Sequence, residues 1–263
     1  MPHTTFSTQI LAQRKAIVFA ASQGIGQAVA LQLAAMGAEV ILVARNKPQL
    51  KATAQLMQQQ TGHKAYIEAV DLTDSASVEQ MMYRHQDADI LVTNCGGPPI
   101  GSLATLELSE WDKAYQQMIR AVVIATKILV PEMAKRRWGR VVMLTSSTVI
   151  DPLKYFSISN SLRKALLGLA QSITQEYAAA GVSANLVCPG LTRTARMESI
   201  VKTSAQTKGE SETVMLAKML QPIPAQRMAE PSEIAAAVAF LCTPIAAYIQ
   251  GQALLVDGGQ ALA

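Results

Sequence analysis

The sequence predicts an α/β fold built on one doubly wound parallel sheet of about seven strands, with helices on both faces. Three observations carry this reading. Short β-branched runs alternate with helical patterns almost from end to end. Runs such as AIVFA and VILVA are continuously apolar rather than alternating with polar residues, as strands covered on both faces are. No Gly/Pro/Ser-rich linker and no internal repeat divides the chain, so residues 1–263 read as one domain. Parallel strands joined by helices need right-handed crossovers, which is the doubly wound arrangement.

The elements follow in order. AIVFA (16–20) is the first strand. The stretch GIGQAVALQLAAMGAEV after it sets Ile25, Val29, Leu31, Leu33 and Met36 near helical spacing, and Gly37 closes it. VILVA (40–44) is the second strand, PQLKATAQLMQQQTG a helix, KAYIEAV (64–70) the third strand and SASVEQMMYRH a helix. ADILVTN (88–94) and GRVVMLTS (139–146) are strands flanking a long helical stretch over 109–136. A helix over about 157–180 leads into the strand GVSANLVC (181–188). PSEIAAAVAFLC (231–242) is a helix with Pro231 in its first turn, and QALLVDGG (252–259) is a final strand and turn. Only 191–224, rich in Thr, Lys and Met, breaks the rhythm. An irregular stretch of that length in a compact domain predicts a lid or binding loop.

Bulk composition narrows the function classes. Half the residues are apolar and only 16% are charged, so the chain can bury a sizeable core and does not resemble a disordered interaction protein. The net charge is +4, but Lys and Arg are scattered and no basic run carries interleaved aromatics, so no nucleic-acid partner is expected. Cys95, Cys188 and Cys242 are far apart and odd in number, which fits reduced thiols, and His3, His63 and His85 form no ligand-spaced pair with them, so no metal is expected. The N-terminus lacks a basic region followed by an apolar run, and no apolar run reaches about 18 residues. A cytoplasmic protein with no membrane partner is the expectation.

Directly after the first strand stands AASQGIGQA (20–28). A glycine-rich strand-to-helix turn lets backbone N–H groups approach a pyrophosphate at the positive end of a helix. Its position at the first βα junction makes Ala20, Ser22, Gln23, Gly24, Ile25 and Gly26 the candidate phosphate contacts of a Rossmann-type fold. At this point the sequence resembles the short-chain dehydrogenase/reductase family over nearly its whole length. The family pattern is Thr-Gly-x-x-x-Gly-x-Gly; Gly24 and Gly26 match, while Phe19 and Ala20 stand at the Thr and first Gly. A turn of ordinary negative φ would tolerate the Ala20 methyl. Asp71-Leu72, TNCGG (93–97, with Asn94 and Gly96), CPGLTRT (188–194), IPAQRMAEPSEIA (223–235) and YIQGQALLVDGG (248–259) resemble further landmarks in the right order. The resemblance implies that Asp71 and Leu72 hold an adenine, and that Pro189, Gly190 and Thr192 face a nicotinamide. It also implies a homo-oligomer, a dimer or tetramer, formed through the helices after the fourth and fifth strands and the C-terminal segment.

NAD selectivity usually rests on an acid at the end of the second strand, which takes the ribose 2′-hydroxyl. Here that strand ends VARN, with Arg45 and no carboxylate. A guanidinium suits a 2′-phosphate, so NADP(H) is favoured over NAD(H).

The catalytic positions depart from the family. Family members use a Tyr with a Lys one turn later, a Ser after the fifth strand, and an Asn in the helix after the fourth. Ser146 stands at the Ser position, but Ser159 replaces the Tyr, Arg163 the Lys, and Met118 the Asn. KALLGL after Arg163 fixes the register. Arg163 keeps a cation able to hold ribose hydroxyls, but it does not shed a proton. Ser159 is a far weaker acid than a phenol, whose pKa lies near about 10. A positioned general acid contributes about 10²–10⁴ in rate, so carbonyl reduction through Ser159 should be slow. Tyr155 is the available substitute, one turn before Ser159 if the helix already runs there; the alternative is an ordinary aromatic at a helix entry. Met118 reads as core. CGGPPIGSL (95–103) and SNSLR (159–163) resemble a subgroup named for its likeness to β-ketoacyl-acyl carrier protein reductases.

Pro98, Pro99, Ile100, Ile150 and Asp151 and the 191–224 lid are the substrate-facing candidates, with Leu216, Met219 and Leu220 at helical spacing in the lid. These last three either contact an acyl or ring substrate or pack the lid down. Two functions follow. One is an NADP(H)-dependent oxidoreductase reducing a 3-oxoacyl-like carbonyl or an activated C=C bond, with Ser146, Ser159, Arg163 and Tyr155 as catalytic candidates. The other is a cofactor-binding homologue with little turnover, acting as a sensor or partner subunit.

Overall fold

The apolar runs form seven strands: β1 (Lys15–Phe19), β2 (Glu39–Ala44), β3 (Ala65–Ala69), β4 (Ile90–Thr93), β5 (Gly139–Leu144), β6 (Val182–Pro189) and β7 (Ala253–Val256). In the computed structural model, which describes residues 9–262, they make one parallel sheet in the order β3-β2-β1-β4-β5-β6-β7. His3 and the start of the N-terminal segment lie outside the described residues. Strand order reverses between β1 and β4, and a crevice opens at the carboxyl ends of strands at such a switch point. β4, β5 and β6 are buried along their whole length, which is why they read as unbroken apolar runs.

Successive side chains along a strand point to opposite faces, so each strand feeds two cores. Ile17 and Phe19 of β1 join Met81, Met82, Leu129, Met133, Leu166 and Ile173 on one face. Those residues come from α3 (Ser75–Arg84), α5 (Ala121–Lys135) and α6 (Ser157–Tyr177). Ala16 and Val18 join Val29, Leu33, Leu50, Met57, Ile234 and Val238 on the other. These belong to α1 (Gly24–Ala35), α2 (Lys47–Thr61) and α9 (Pro231–Leu241). Pro231 opens α9 beside a reciprocal cap between Glu230 and Glu233, as a first-turn proline should. Among the described residues no helix is long and apolar enough to cross a membrane.

Three expectations change. The 109–136 stretch is not one regular helix: α4 (Leu108–Tyr115) and α5 are joined by a π-helical turn over Gln116–Arg120. The 191–224 stretch is not irregular. It folds as α7 (Ala195–Lys208) and α8 (Glu212–Leu220), capped by the side chains of Thr194 and Ser211, with Gly209 between them at φ 64°. Few apolar residues are needed because the pair has its own small core, Val201, Ala205, Met215 and Met228. Leu216, Met219 and Leu220 pack against that core, so their spacing reflects packing within the segment. Finally, α6 begins at Ser157, so Tyr155 lies in the turn before it.

Candidate functional site

At the end of β1 the chain turns sharply enough to need unusual backbone at two places. Ala20 adopts φ 50° and Gly24 φ 59°. The expectation of a negative φ at Ala20 is therefore wrong: the turn demands the left-handed conformation that a glycine adopts freely and an alanine adopts at a cost. A side chain on Gly26 would stand 2.2 Å from the Ala20 carbonyl oxygen, so α1 can pack onto this turn only with glycine there. Gln23, the residue before α1, makes no side-chain cap, which leaves the first N–H groups of the helix open to an anion.

The turn floors a cavity of about 440 Å³. Ala20, Ser22, Gln23, Gly24 and Ile25 line it from the turn, Arg45 from the end of β2, Asp71 and Leu72 from beyond β3, and Asn94 and Gly96 from beyond β4. Gly26 serves from behind, through packing. A dinucleotide fits this setting: an uncapped helix start, a glycine that lets α1 pack onto the turn, and a groove at the switch point. Asn46 lies beside Arg45 and caps α2 by accepting from Gln49 N–H at 3.0 Å. Arg45 is largely exposed and stands 3.8 Å from Asp71. Burial alone would raise the Asp71 pKa, but hydrogen bonds from the Thr73 backbone and hydroxyl, with Arg45 nearby, hold it below the usual carboxylate range.

The other candidates lie outside that cavity's lining. Pro189 ends β6, and Gly190 is pressed against Asp257, whose Cα would stand 2.8 Å from an added Cβ. Thr192 is buried and donates to the Gly190 carbonyl at 3.1 Å. Ser146 is half-buried just beyond β5, and its Oγ accepts from Thr148 N–H at 3.3 Å, with no acceptor for its own proton among the described residues.

Ser159 is only 6% exposed. Its Oγ lies 3.3 Å from the Thr148 hydroxyl and accepts from Arg163 Nε at 3.1 Å, while Arg163 Nη1 donates to the Thr145 carbonyl at 2.7 Å. Ser159 and Arg163 thus form a buried brace between α6 and the end of β5. Tyr155 is 53% exposed, sits at φ 67°, and holds the Lys154 ammonium 4.9 Å above its ring; its carbonyl accepts from Gly101 N–H at 2.8 Å. No hydrogen bond joins its side chain to Ser146 or Ser159 among the described residues. Met118 is core, packed in one cluster with Ala114, Ile158 and Trp111 on the π turn's buried side.

Sequence reasoning missed several neighbours. Thr194 and Arg196 reach the cavity from the start of α7, and Thr194 Cγ2 would lie 3.4 Å from a Cβ on Gly24. Gln117 enters from the π turn and Cys95 and Gly97 from beyond β4. Arg163 and Arg196 both act on Cys95, yet burial outweighs them and pushes its thiol up; Cys242 is pushed up to about 12 by burial. These thiols are poor nucleophiles. Among the described residues no cluster of His, Cys, Asp and Glu is placed to hold a metal ion.

A parallel sheet in this order, with a glycine turn and a groove at its switch point, is the arrangement of a Rossmann-type nucleotide-binding fold. The family model described as enoyl-(acyl carrier protein) reductase matches residues 19–261. Oxidoreductase UcpA of Salmonella typhimurium is 35% identical, over 96% of each chain. Dehydrogenase/reductase SDR family member 4 of Oryctolagus cuniculus is 32% identical over 95% of this chain and 94% of its own. L-sorbose reductase from Gluconobacter frateurii, solved with NADPH and L-sorbose, superposes with a TM-score of 0.92 at 27% identity, covering 98% of this chain and all of that one. The chain belongs to the short-chain dehydrogenase/reductase family.

Proposed function

We propose that the chain is an NADP(H)-dependent reductase whose preferred substrate is a C=C bond conjugated to a carbonyl, with simple carbonyls as poorer substrates. The observation that carries this reading is the burial of Ser159 in the Thr148–Ser159–Arg163 brace, which leaves the family's proton-donor position facing protein. A reduced nicotinamide bound along the groove would supply hydride. Reduction of a saturated ketone produces an alkoxide that needs a proton at once. Reduction of a conjugated enone leaves its charge spread over an enolate, which tolerates a wait for solvent. Ser146, with its proton free, donates a hydrogen bond to the substrate oxygen. Arg163, held from two sides, keeps positive charge near the same strand end. The matching family model is described as an enoyl reductase, and an enoyl group is an activated C=C bond.

NADP(H) is preferred because Arg45 and Asn46 stand at the groove end where an acid would select NAD. Tyr155 is left as a rim residue rather than the acid. The protein acts in the cytoplasm as a homo-oligomer, a dimer or tetramer, with 1–263 as one unit and 191–224 as its lid.

The test is NADPH oxidation on enones, quinones, β-ketoacyl thioesters and saturated ketones. Turnover on enones should exceed that on matched saturated ketones by about tenfold or more. Tight NADPH binding with no oxidation on any of them would replace this reading with cofactor binding alone.

A further inference from the structure

The π-helical turn over Gln116–Arg120 sorts two neighbouring side chains into opposite environments. Such turns are rare single-turn insertions in α-helices and recur at functional sites. Met118 is 1% exposed and packs with Ala114, Ile158 and Trp111. Gln117 instead lines the groove beyond β4. A Cβ on Gly96 would stand 3.4 Å from Gln117 Nε2, so the carboxamide end of the side chain lies against the Gly96 backbone.

Several polar side chains around the groove are already held by the protein. Thr194 caps α7 by accepting from Met197 N–H at 3.3 Å, and Arg196 donates to the Gly97 and Pro98 carbonyls at 2.8 and 3.2 Å. Asn46 caps α2, and Asp71 accepts from the backbone and hydroxyl of Thr73. Gln117 is half-buried, yet its carboxamide makes no hydrogen bond among the described residues. A carboxamide offers two donated protons and an accepting oxygen, and polar groups removed from water are nearly always paired. One left open where a ligand would lie is therefore placed to meet that ligand.

We propose that the Gln117 carboxamide hydrogen-bonds a ribose hydroxyl of the bound dinucleotide. This rests on the NADP(H) reading and adds a cofactor-binding residue to it. Sheet order sets the segment after β4 between the glycine turn after β1 and Ser146 after β5, about 5 Å across the sheet from the turn. A dinucleotide whose pyrophosphate rests on that turn carries a ribose on either side of it. The carboxamide both donates and accepts, as a sugar hydroxyl does. A phosphate oxygen only accepts, and the uncapped start of α1 already serves it.

The experiment titrates NADPH and 2′,5′-ADP, the adenosine half of the cofactor, into the full chain. Gln117→Leu should weaken NADPH about five- to tenfold, the effect of one neutral hydrogen bond, and melt within about 2 °C of the wild type. Gln117→Glu still accepts from a hydroxyl. At about 0.5 M salt, where repulsion between separated charges is screened, it should bind NADPH within about threefold of the wild type. An equal loss of 2′,5′-ADP in Gln117→Leu assigns the contact to the adenosine ribose, and a loss confined to NADPH assigns it to the nicotinamide ribose. Unchanged NADPH affinity in Gln117→Leu overturns the proposal. So does a larger loss in Gln117→Glu than in Gln117→Leu, which would put a phosphate at the carboxamide. A wild-type chain that binds neither NADPH nor NADH would sink the cofactor reading itself, before any variant is compared.

Discussion

The two ends of the groove are built on different logic. Over β1, β2 and β3 the groove is built from backbone shape and charge: an uncapped helix start, a glycine that packing requires, and a cation at the end of β2. Beyond β5 the polar side chains of Thr148, Ser159 and Arg163 bond to one another and lie outside that groove's lining. Binding a dinucleotide depends on backbone shape, which tolerates little change. Proton transfer depends on a few side chains, which a lineage can trade once the substrate changes. Substitutions at the two ends should therefore fail in different ways.

The largest effect is expected at the turn. Gly26→Ala puts a methyl 2.2 Å from the Ala20 carbonyl oxygen, which forces α1 away from β1. Overpacking of this kind costs about 3 kcal/mol, or roughly 10 °C in melting temperature for a chain of this size, and NADPH binding should vanish with it. A variant that melts like the wild type and still binds NADPH would show that the turn does not form the phosphate cradle.

Next comes the contrast between the two serines. Ser146→Ala removes the hydroxyl just beyond β5 proposed to donate to the substrate and should lower kcat about a hundredfold, with little change in stability. Ser159→Ala should do the reverse. It takes an acceptor from Arg163 and a partner from Thr148, both buried, and should cost about 1–3 kcal/mol of stability. Its kcat should stay within about threefold on an enone. Steady-state kinetics and thermal melts on the same preparations check both halves, and a large kcat loss in Ser159→Ala would return that hydroxyl to the reaction.

Arg45→Glu tests the selective end. Loss of a charge-assisted partner and gain of a repelling acid should weaken NADPH about 30- to 100-fold and leave NADH unchanged or tighter, read by fluorescence titration. The Arg45–Asp71 pair is exposed at 3.8 Å, so stability should hardly move. Equal weakening of both cofactors would place Arg45 outside the 2′-position.

The sheet and the glycine turn were legible because strand burial and helix spacing leave periodic traces, and because Gly24 and Gly26 sit where a chain must turn. That Ser146 follows β5 and that Ser159 and Arg163 share α6 was legible too, yet the directions of their side chains were not. Whether Ser159 faces a cavity or Thr148 depends on rotamers that no spacing encodes. The spacing of Leu216, Met219 and Leu220 pointed to α8, but α7 escaped because polar residues outnumber apolar ones in it and its contact with α8 rests on few apolar side chains. Arg196 escaped with it, since its meeting with Gly97 joins residues 99 positions apart.

The smallest effect concerns Ala20, where the residue type suggests an ordinary negative φ and the fold supplies φ 50°. An L-residue in the left-handed region costs about 1–2 kcal/mol, while a glycine there gives up about 0.5–1 kcal/mol through the freedom it regains in the unfolded chain. The backbone strain outweighs that entropy, so Ala20→Gly should stabilise the protein by about 0.5 kcal/mol, a rise of roughly 1–2 °C measured by differential scanning calorimetry. NADPH affinity should hold or improve slightly, because the family's own residue restores an unhindered turn. A loss of stability would mean that the freedom of the unfolded chain dominates, and that this lineage keeps Ala20 because it stiffens the turn before any ligand arrives.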